Sequence, residues 1–299
     1  MSRKKFPFYP GCTLKTKAEN FERSGLAVTR ALNLELIEPE RWNCCGTVFS
    51  LTDDDLIHHV APIRDLIRIE EMNKNGIVDE SRVVVFCSMC YNTLKRANLR
   101  VKENDEDLEK INNLMYREDD YKKSIEVIHL MQLLQEIGFD KIKEKVKKPL
   151  TNLNVAPYYG CMLLRPKEVG IDDPEDPVIQ DELIMAMGAN PIDYPYKKVC
   201  CGSYQTVHEK EAVAGLTYDI LTNAQNEGAD VVITSCPLCA FNLDNRQKEV
   251  KKTHPEFREM PILYFTQLMA IAFDLDEKTY GFDLNYIDPK PILKSKNLL

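Results

Sequence analysis

The sequence predicts an α/β protein made of two duplicated small domains, each a mostly parallel sheet flanked by helices, the two related by a pseudo-two-fold. Two observations lead there. The stretch Val83-Val84-Val85-Phe86-Cys87-Ser88-Met89-Cys90 recurs in the same grammar as Val231-Val232-Ile233-Thr234-Ser235-Cys236-Pro237-Leu238-Cys239. Each is a β-branched run feeding straight into Cys-x-x-Cys, the pattern of a buried strand ending at a strand-to-helix turn. All ten cysteines then divide into two sets of five: Cys12, Cys44, Cys45, Cys87 and Cys90; and Cys161, Cys200, Cys201, Cys236 and Cys239. The first cysteine and the Cys-x-x-Cys pair of each set are offset by 149 residues, and the central pair by 156. Glycine follows each central pair (Gly46, Gly202), and Tyr9-Pro-Gly-Cys12 and Tyr158-Tyr-Gly-Cys161 open the two sets. This is an internal duplication whose repeated content is thiol.

The elements follow in order. Lys5 to Tyr9 reads as a strand, Thr16 to Leu32 as a helix and Leu34 to Ile37 as a second strand. A loop then carries Trp42, Cys44 and Cys45. Asp53-Asp54-Asp55 reads as the acidic start of a helix that stops at Asn75-Gly76. The Val83 strand delivers Cys87 and Cys90, and a helix is expected from about Tyr91. Residues 101–124, dominated by Lys, Glu and Asp, read as a solvated helix and loop. Ser124 to Phe139 has apolar residues at 125, 128, 130, 133, 134 and 137 and reads as an amphipathic helix. The basic run 141–148 and Pro149 mark a boundary, giving domains of residues 1–149 and 150–299. The second half repeats the order: a strand from Leu153 to Tyr159, a Pro/Asp-rich insert at 172–177, and a helix ending near Gly188. A short strand near Ile192–Tyr194, a long helix from Thr206 to Gly228 and the Val231 strand follow. Gln132-Leu-Leu and Gln267-Leu-Met sit in helices that correspond, and the last twenty or so residues read as a tail.

Composition narrows the class. At 299 residues the chain is long enough for two domains, and a formal charge of −8 argues against a nucleic-acid surface. The N-terminus is basic but lacks an apolar h-region, and no run approaches the roughly 18 apolar residues of a membrane span. A cytoplasmic protein with no membrane span and reduced thiols is expected.

Ten thiols in such a compartment admit four readings. Disulfides fit poorly, because each set is odd in number and adjacent cysteines rarely bridge. Tetrahedral zinc would leave the fifth cysteine of each set idle. Inert buried thiols do not account for a repeated five-residue pattern. Iron–sulfur chemistry remains, although five ligands per cluster matches none of the ordinary four-cysteine types.

The pattern Cys-x31-Cys-Cys-Gly-x40-Cys-x-x-Cys followed by Cys-x38-Cys-Cys-Gly-x33-Cys-x-x-Cys resembles the CCG-domain family, and within it the B subunits of heterodisulfide reductases. The resemblance covers nearly the whole chain. It implies an oxidoreductase acting on a sulfur group, with a noncubane [4Fe-4S] cluster in each half ligated by all five cysteines of that half. The implied reaction is reduction of the coenzyme M–coenzyme B mixed disulfide to two thiols. Two clusters flanking one S–S bond would each deliver one electron, so no free thiyl radical is released. The gap from Cys45 to Cys87 is long for the family and reads as a loop insertion.

An anionic substrate calls for nearby cations. Lys15 and Arg165, just past the first cysteine of each set, and Lys198 before Cys200 are the candidates, with Lys197 beside them. Ser203, Tyr204 and Tyr91 are candidate pocket residues, and His208 is the candidate proton donor. Each of these has an ordinary surface or helix role as its plain alternative. No ferredoxin-type cysteine run and no Gly-x-Gly-x-x-Gly is present, so this chain is expected to carry neither a ferredoxin-type cluster nor a flavin or nicotinamide cofactor. As the resemblance implies, electrons would come directly from a small ferredoxin-like subunit. That donor would be fed by a flavin-bearing subunit and in turn by a hydrogenase or formate dehydrogenase. Two alternatives stand beside this: the iron–sulfur subunit of a thiol–fumarate reductase or of a lactate, glycolate or glycerol-3-phosphate oxidising complex, and a non-catalytic electron-transfer or zinc-stabilised scaffold.

Overall fold

A computed structural model describes residues 3–47 and 55–299. Its first half contains strands β1 (Lys4–Tyr9), β2 (Leu34–Ile37), β3 (Arg82–Val85) and β4 (Glu126–His129), all parallel, in the order β2-β1-β3-β4. The second half repeats this with β5 (Asn154–Pro157), β6 (Asn190–Pro191), β7 (Val231–Thr234) and β8 (Ile262–Tyr264), in the order β6-β5-β7-β8. Parallel strands need crossovers, and the helices between them supply these and cover the sheet faces. The middles of β3 and β7 are apolar because both faces are covered: Val83, Val84 and Val85, like Val231, Val232 and Ile233, are fully buried.

In this strand order the chain reverses direction between β1 and β3, and again between β5 and β7. Crevices open beyond the carboxyl ends of strands at such switch points. Cys12 follows β1 and Cys87 follows β3, while Cys161 follows β5 and Cys236 follows β7. The topology therefore gathers each set of five at one crevice.

Several expected elements differ. The segment read as one helix over Ser124–Phe139 is β4 followed by a helix over Leu130–Ile137. Val127 and Ile128 extend the sheet beside Val83 and Val84, and His129 begins the helix. The strand β8 is an addition to the expected elements. It plays the same part in the second half: Gln132 Oε1 accepts the His129 N–H at 2.9 Å, and Gln267 Oε1 accepts the Tyr264 N–H at 2.9 Å. The expected Gln132–Gln267 correspondence is thus a shared helix cap. The strand near Ile192–Tyr194 lies slightly earlier, as β6. The long helix begins at Lys210 rather than Thr206, leaving His208 in the preceding turn.

The helices after the Cys-x-x-Cys turns start before the second cysteine, not after it: α1 spans Ser88–Glu103 and α2 spans Pro237–Asn245, with Cys87 and Cys236 at the N-cap positions. Asp53 and Asp54 lie outside the described residues; Asp55 accepts the Ile57 N–H at the start of the helix Ile57–Lys74. The tail is docked. Asp244 accepts the N–H groups of Tyr286 (2.7 Å) and Ile287 (3.0 Å), and Asn285 donates to the Ile262 carbonyl.

The halves are fused along an extensive seam. Phe21 stacks on Tyr264 with ring centroids 4.2 Å apart, and the Ser24 and Thr266 hydroxyls lie 2.6 Å apart. Asn92 donates to the Met162 and Arg165 carbonyls, and the Tyr91 hydroxyl donates to the Val169 carbonyl.

Candidate metal centre

Each set is assembled from three loops. The first thiol follows a strand and a glycine that must be glycine: Gly11 has φ +70°, and a Cβ there would sit 2.9 Å from Cys90 Sγ. Gly160 has φ +64°, with Cys239 Sγ at 3.4 Å from the same notional atom. In both halves the missing side chain lets the second thiol of Cys-x-x-Cys approach the first loop.

The central Cys-Cys loop is held by the tyrosine that opens each set. Tyr9 donates its hydroxyl to the Asn43 carbonyl at 2.8 Å, and Tyr158 to the Val199 carbonyl at 2.6 Å. These are the residues immediately before Cys44 and Cys200, so each buried phenol fixes the height of a thiol pair. The Tyr-x-Gly-Cys repeat is the signal for them, but nothing in the sequence says what the hydroxyl grips.

A second brace comes from the helix after Cys-x-x-Cys. Thr93 meets Thr47 hydroxyl to hydroxyl at 2.9 Å, and Asn242 donates to the Cys201 carbonyl at 3.0 Å. In the first half Asp65 adds a third, accepting the backbone N–H of Asn43 at 2.8 Å and its side-chain amide at 3.2 Å. Asp65 is buried, and burial pushes its carboxyl up to about 7.

The thiols touch in sequence. Cys12 and Cys44 are 3.8 Å apart, Cys45 and Cys90 3.6 Å, and Cys201 and Cys239 3.4 Å. Cys44 and Cys45, Cys87 and Cys90, Cys161 and Cys200, and Cys236 and Cys239 are further neighbours, each pair shifting its members' proton affinities. The sets meet at a crossing where Cys87 and Cys236 shift each other's proton affinity.

Around that crossing the Ser88 N–H donates to the Ser235 carbonyl at 3.1 Å, and the two serine hydroxyls lie 2.7 Å apart. The crossing is not symmetric. The counterpart of Ser88 is Pro237, which has no N–H to give to Phe86, the counterpart of Ser235. His129 Nε2 meets the Phe86 carbonyl instead, at 2.7 Å, while its Nδ1 accepts the Met131 N–H at 3.1 Å. This pair of bonds fits the neutral imidazole with its proton on Nε2, and burial lowers the pKa of His129 to about 4. His129 has no sequence signal.

Five neighbouring thiols cannot all ionise unaided. Contact with Cys44 and Cys90 holds Cys45 well below the usual thiol range, and contact with Cys239 and Cys87 does the same for Cys236. The proton-holding partners Cys87, Cys90 and Cys239 are pushed up correspondingly, with burial adding to the effect. Cys200, bonded to Cys161 and to the Gly202 and Ser203 N–H groups, falls to about 6. The N-terminal turns of α1 and α2 present further N–H dipoles that favour anionic sulfur. Cys12 and Cys44 are exposed, Cys161 and Cys200 half-buried, and the other six buried.

The donor set in each crevice is entirely soft cysteine sulfur, which fits an iron–sulfur group. Among the described residues no group of three or more His, Cys, Asp or Glu side chains is arranged to hold a single metal ion.

The predicted substrate residues lie in two groups. Ser203 is buried directly beyond Gly202, and Tyr204 packs by the second set with its hydroxyl donating to Met162 Sδ at 3.6 Å. The cations are engaged elsewhere: Lys15 pairs with Glu22 and Glu38, and Lys197 with Asp193 at 3.0 Å. Arg165 and Lys198 both reach Glu175, at 3.0 and 2.9 Å, fastening the 172–177 insert. His208 is exposed.

Comparison with known proteins agrees with this duplication. The model of the CCG cysteine-rich domain matches residues 6–95 and again 155–244. The chain is 32% identical, over 96% of its length and 98% of the relative's, to the 8-methylmenaquinol:fumarate reductase membrane anchor subunit of Wolinella succinogenes. It is 28% identical to the B subunit of a CoB-CoM heterodisulfide reductase from Methanosarcina acetivorans, covering 95% of this chain and 94% of that one. It is also 28% identical to a protein of Archaeoglobus profundus described as like the B subunit of heterodisulfide reductase, covering 98% and 99%. A crystal structure of a hypothetical protein from Helicobacter pylori shares the fold, with a TM-score of 0.74 at 14% identity over 95% of this chain; the chain spans about half, 52%, of that structure. Among the described residues no helix is long and apolar enough to cross a membrane.

Proposed function

Since the chain belongs to the CCG cysteine-rich domain family, with the domain present twice, we propose that it is the catalytic iron–sulfur subunit of a heterodisulfide reductase. In this reading Cys12, Cys44, Cys45, Cys87 and Cys90 hold one noncubane [4Fe-4S] cluster, and Cys161, Cys200, Cys201, Cys236 and Cys239 hold the other. The observation that carries it is the Ser88–Ser235 join, 2.7 Å between hydroxyls, which sets the adjoining Cys87 and Cys236 and their two thiol arrays side by side. The bound clusters supply one-electron steps at two adjacent points. The mixed disulfide of coenzyme M and coenzyme B takes up two electrons and two protons and leaves as two thiols.

The chain's own residues do the rest. Tyr9 and Tyr158 hold the central thiol pairs at fixed height, Gly11 and Gly160 admit the Cys-x-x-Cys thiols, and the Ser88–Ser235 bridge keeps the sets in register. Electrons come from a small ferredoxin-like subunit served by a flavin-bearing one, with a hydrogenase or formate dehydrogenase behind them. The site of work is the cytoplasm. Anaerobic iron and acid-labile sulfide analysis tests the centres: about eight of each per chain is expected for two four-iron groups. About four would mean that only one set assembles. Reduction of the mixed disulfide by the loaded protein then tests the substrate.

A second reading is favoured by one specific observation, the 32% identity to a subunit of a methylmenaquinol:fumarate reductase along nearly the full length of both chains. In that reading the same two centres pass electrons between a quinol and a fumarate-reducing partner. Reduction by quinol with no response to the mixed disulfide would select it.

A further inference from the structure

A cavity of about 210 Å³ lies between the halves, and none of the roles above uses it. It borders the loops that carry both cysteine sets: Thr13 follows Cys12 directly, and Pro237 and Leu238 lie between Cys236 and Cys239. Its lining is mostly apolar, with Ala18 from the first half facing Leu238 and Phe241 from the second. Among the described residues, two charged side chains border it, Lys17 and Asp244. Asp244 spends both carboxylate oxygens on the Tyr286 and Ile287 N–H groups. Lys17 is exposed at the rim, and among the described residues it has no ion-pair partner.

This lining decides what fits. A molecule with several negative charges would be desolvated against apolar walls with one cation to meet it, because Lys15, Arg165 and Lys198 are held by carboxylates. A neutral ring gains from the same walls. The volume is below the roughly 300–1,000 Å³ of pockets for drug-sized ligands, so it suits a ring head rather than a long-chain molecule. A carrier of two electrons placed here would lie beside the loops that hold both sets of thiols.

We propose that this cavity binds an uncharged planar ring bearing edge oxygens, of the quinone–quinol class, with Lys17 donating to one oxygen. The position of the site gains its meaning from the two-centre reading above, whereas binding itself does not depend on it. The test titrates the full chain, loaded anaerobically with iron and sulfide, with 2,3-dimethyl-1,4-naphthoquinone. Both ring positions of that probe are blocked against thiol addition. Bound probe is read by equilibrium dialysis, and iron and sulfide are measured on the same sample.

Saturable binding is expected. Ala18→Leu, which fills the cavity, should weaken it about tenfold or more, and Lys17→Met, a surface change, severalfold, with iron content unchanged. Failure to bind overturns the proposal. So does binding that neither variant alters, or displacement of the probe by a dianionic alkyl disulfide whose own binding requires Lys17. Iron-loaded protein that does not bind the ring sinks the cavity alone. Protein that binds the ring but holds no iron sinks the metal centres alone.

Discussion

The hydroxyls of Ser88 and Ser235, 147 residues apart in sequence, lie 2.7 Å from each other in a fully buried seam. Ser88→Ala strands the buried Ser235 hydroxyl, at a cost of about 1–3 kcal/mol, whereas Ser235→Ala leaves the Ser88 hydroxyl its 3.3 Å bond to the carbonyl of residue 235 and should cost less. Because both residues serve one bond, the double variant should be little worse than the worse single one. Denaturant midpoints of the three variants check this. Additive losses would show that the two hydroxyls act independently.

Gly11→Ala and Gly160→Ala should differ in severity. Both force an L-residue to positive φ, at about 1–2 kcal/mol, but the new methyl meets Cys90 Sγ at 2.9 Å in one case and Cys239 Sγ at 3.4 Å in the other. Gly11→Ala is expected to lose the first centre, halving bound iron, while Gly160→Ala keeps most of the second. Equal iron contents would contradict the geometry.

Removing the grip on the central thiol pairs should loosen them one half at a time. Tyr9→Phe leaves the Asn43 carbonyl without its phenol, and Tyr158→Phe does the same to Val199. Each costs about 1–3 kcal/mol and should speed loss of iron to a chelator from its own half only. Biphasic release in each single variant, against one slow phase in the parent, is the expected record.

The docking of the tail should depend on pH through Asp244. Burial raises this carboxyl from 3.8 to about 7 in the folded protein, so between those values the folded state binds more protons than the unfolded one. Its contribution to stability therefore falls as pH rises from about 4 to 7, and is lowest above 7. Relative to Asp244→Asn, the parent should lose stability across that window. Parallel curves for parent and variant would remove Asp244 as the source; the comparison isolates it from Asp65, which shifts the same way.

The cysteine framework was fully legible because ten residues of one type at repeated spacings leave little ambiguity, and the strands leading to them are β-branched and continuous. The strand β4 was not. Its four residues pass without a loop into the helix that His129 caps, so the apolar spacing of the whole segment mimics one helix. With three residues after Pro261, β8 is too short to carry a period. The cations near the cysteines were visible as charges, but their commitments were not. Glu175 lies 10 residues from Arg165 and 23 before Lys198, and only the folded insert brings it to both. Asp65, His129 and Asp244 are single polar residues whose burial is decided by distant chain.

The proline at position 237 makes the two repeats unlike partners. A second half set against a copy of itself would face each Ser235 carbonyl with a ring that has no hydrogen to offer, so neither join could close. A first half paired with itself could offer Ser88 N–H groups, but to Phe86 carbonyls that already accept from His129 and would have to share. The halves are thus keyed to each other and not to themselves. Separately expressed repeats are expected to pair with the opposite half in preference to their own kind, each like-with-like join lacking this backbone bond.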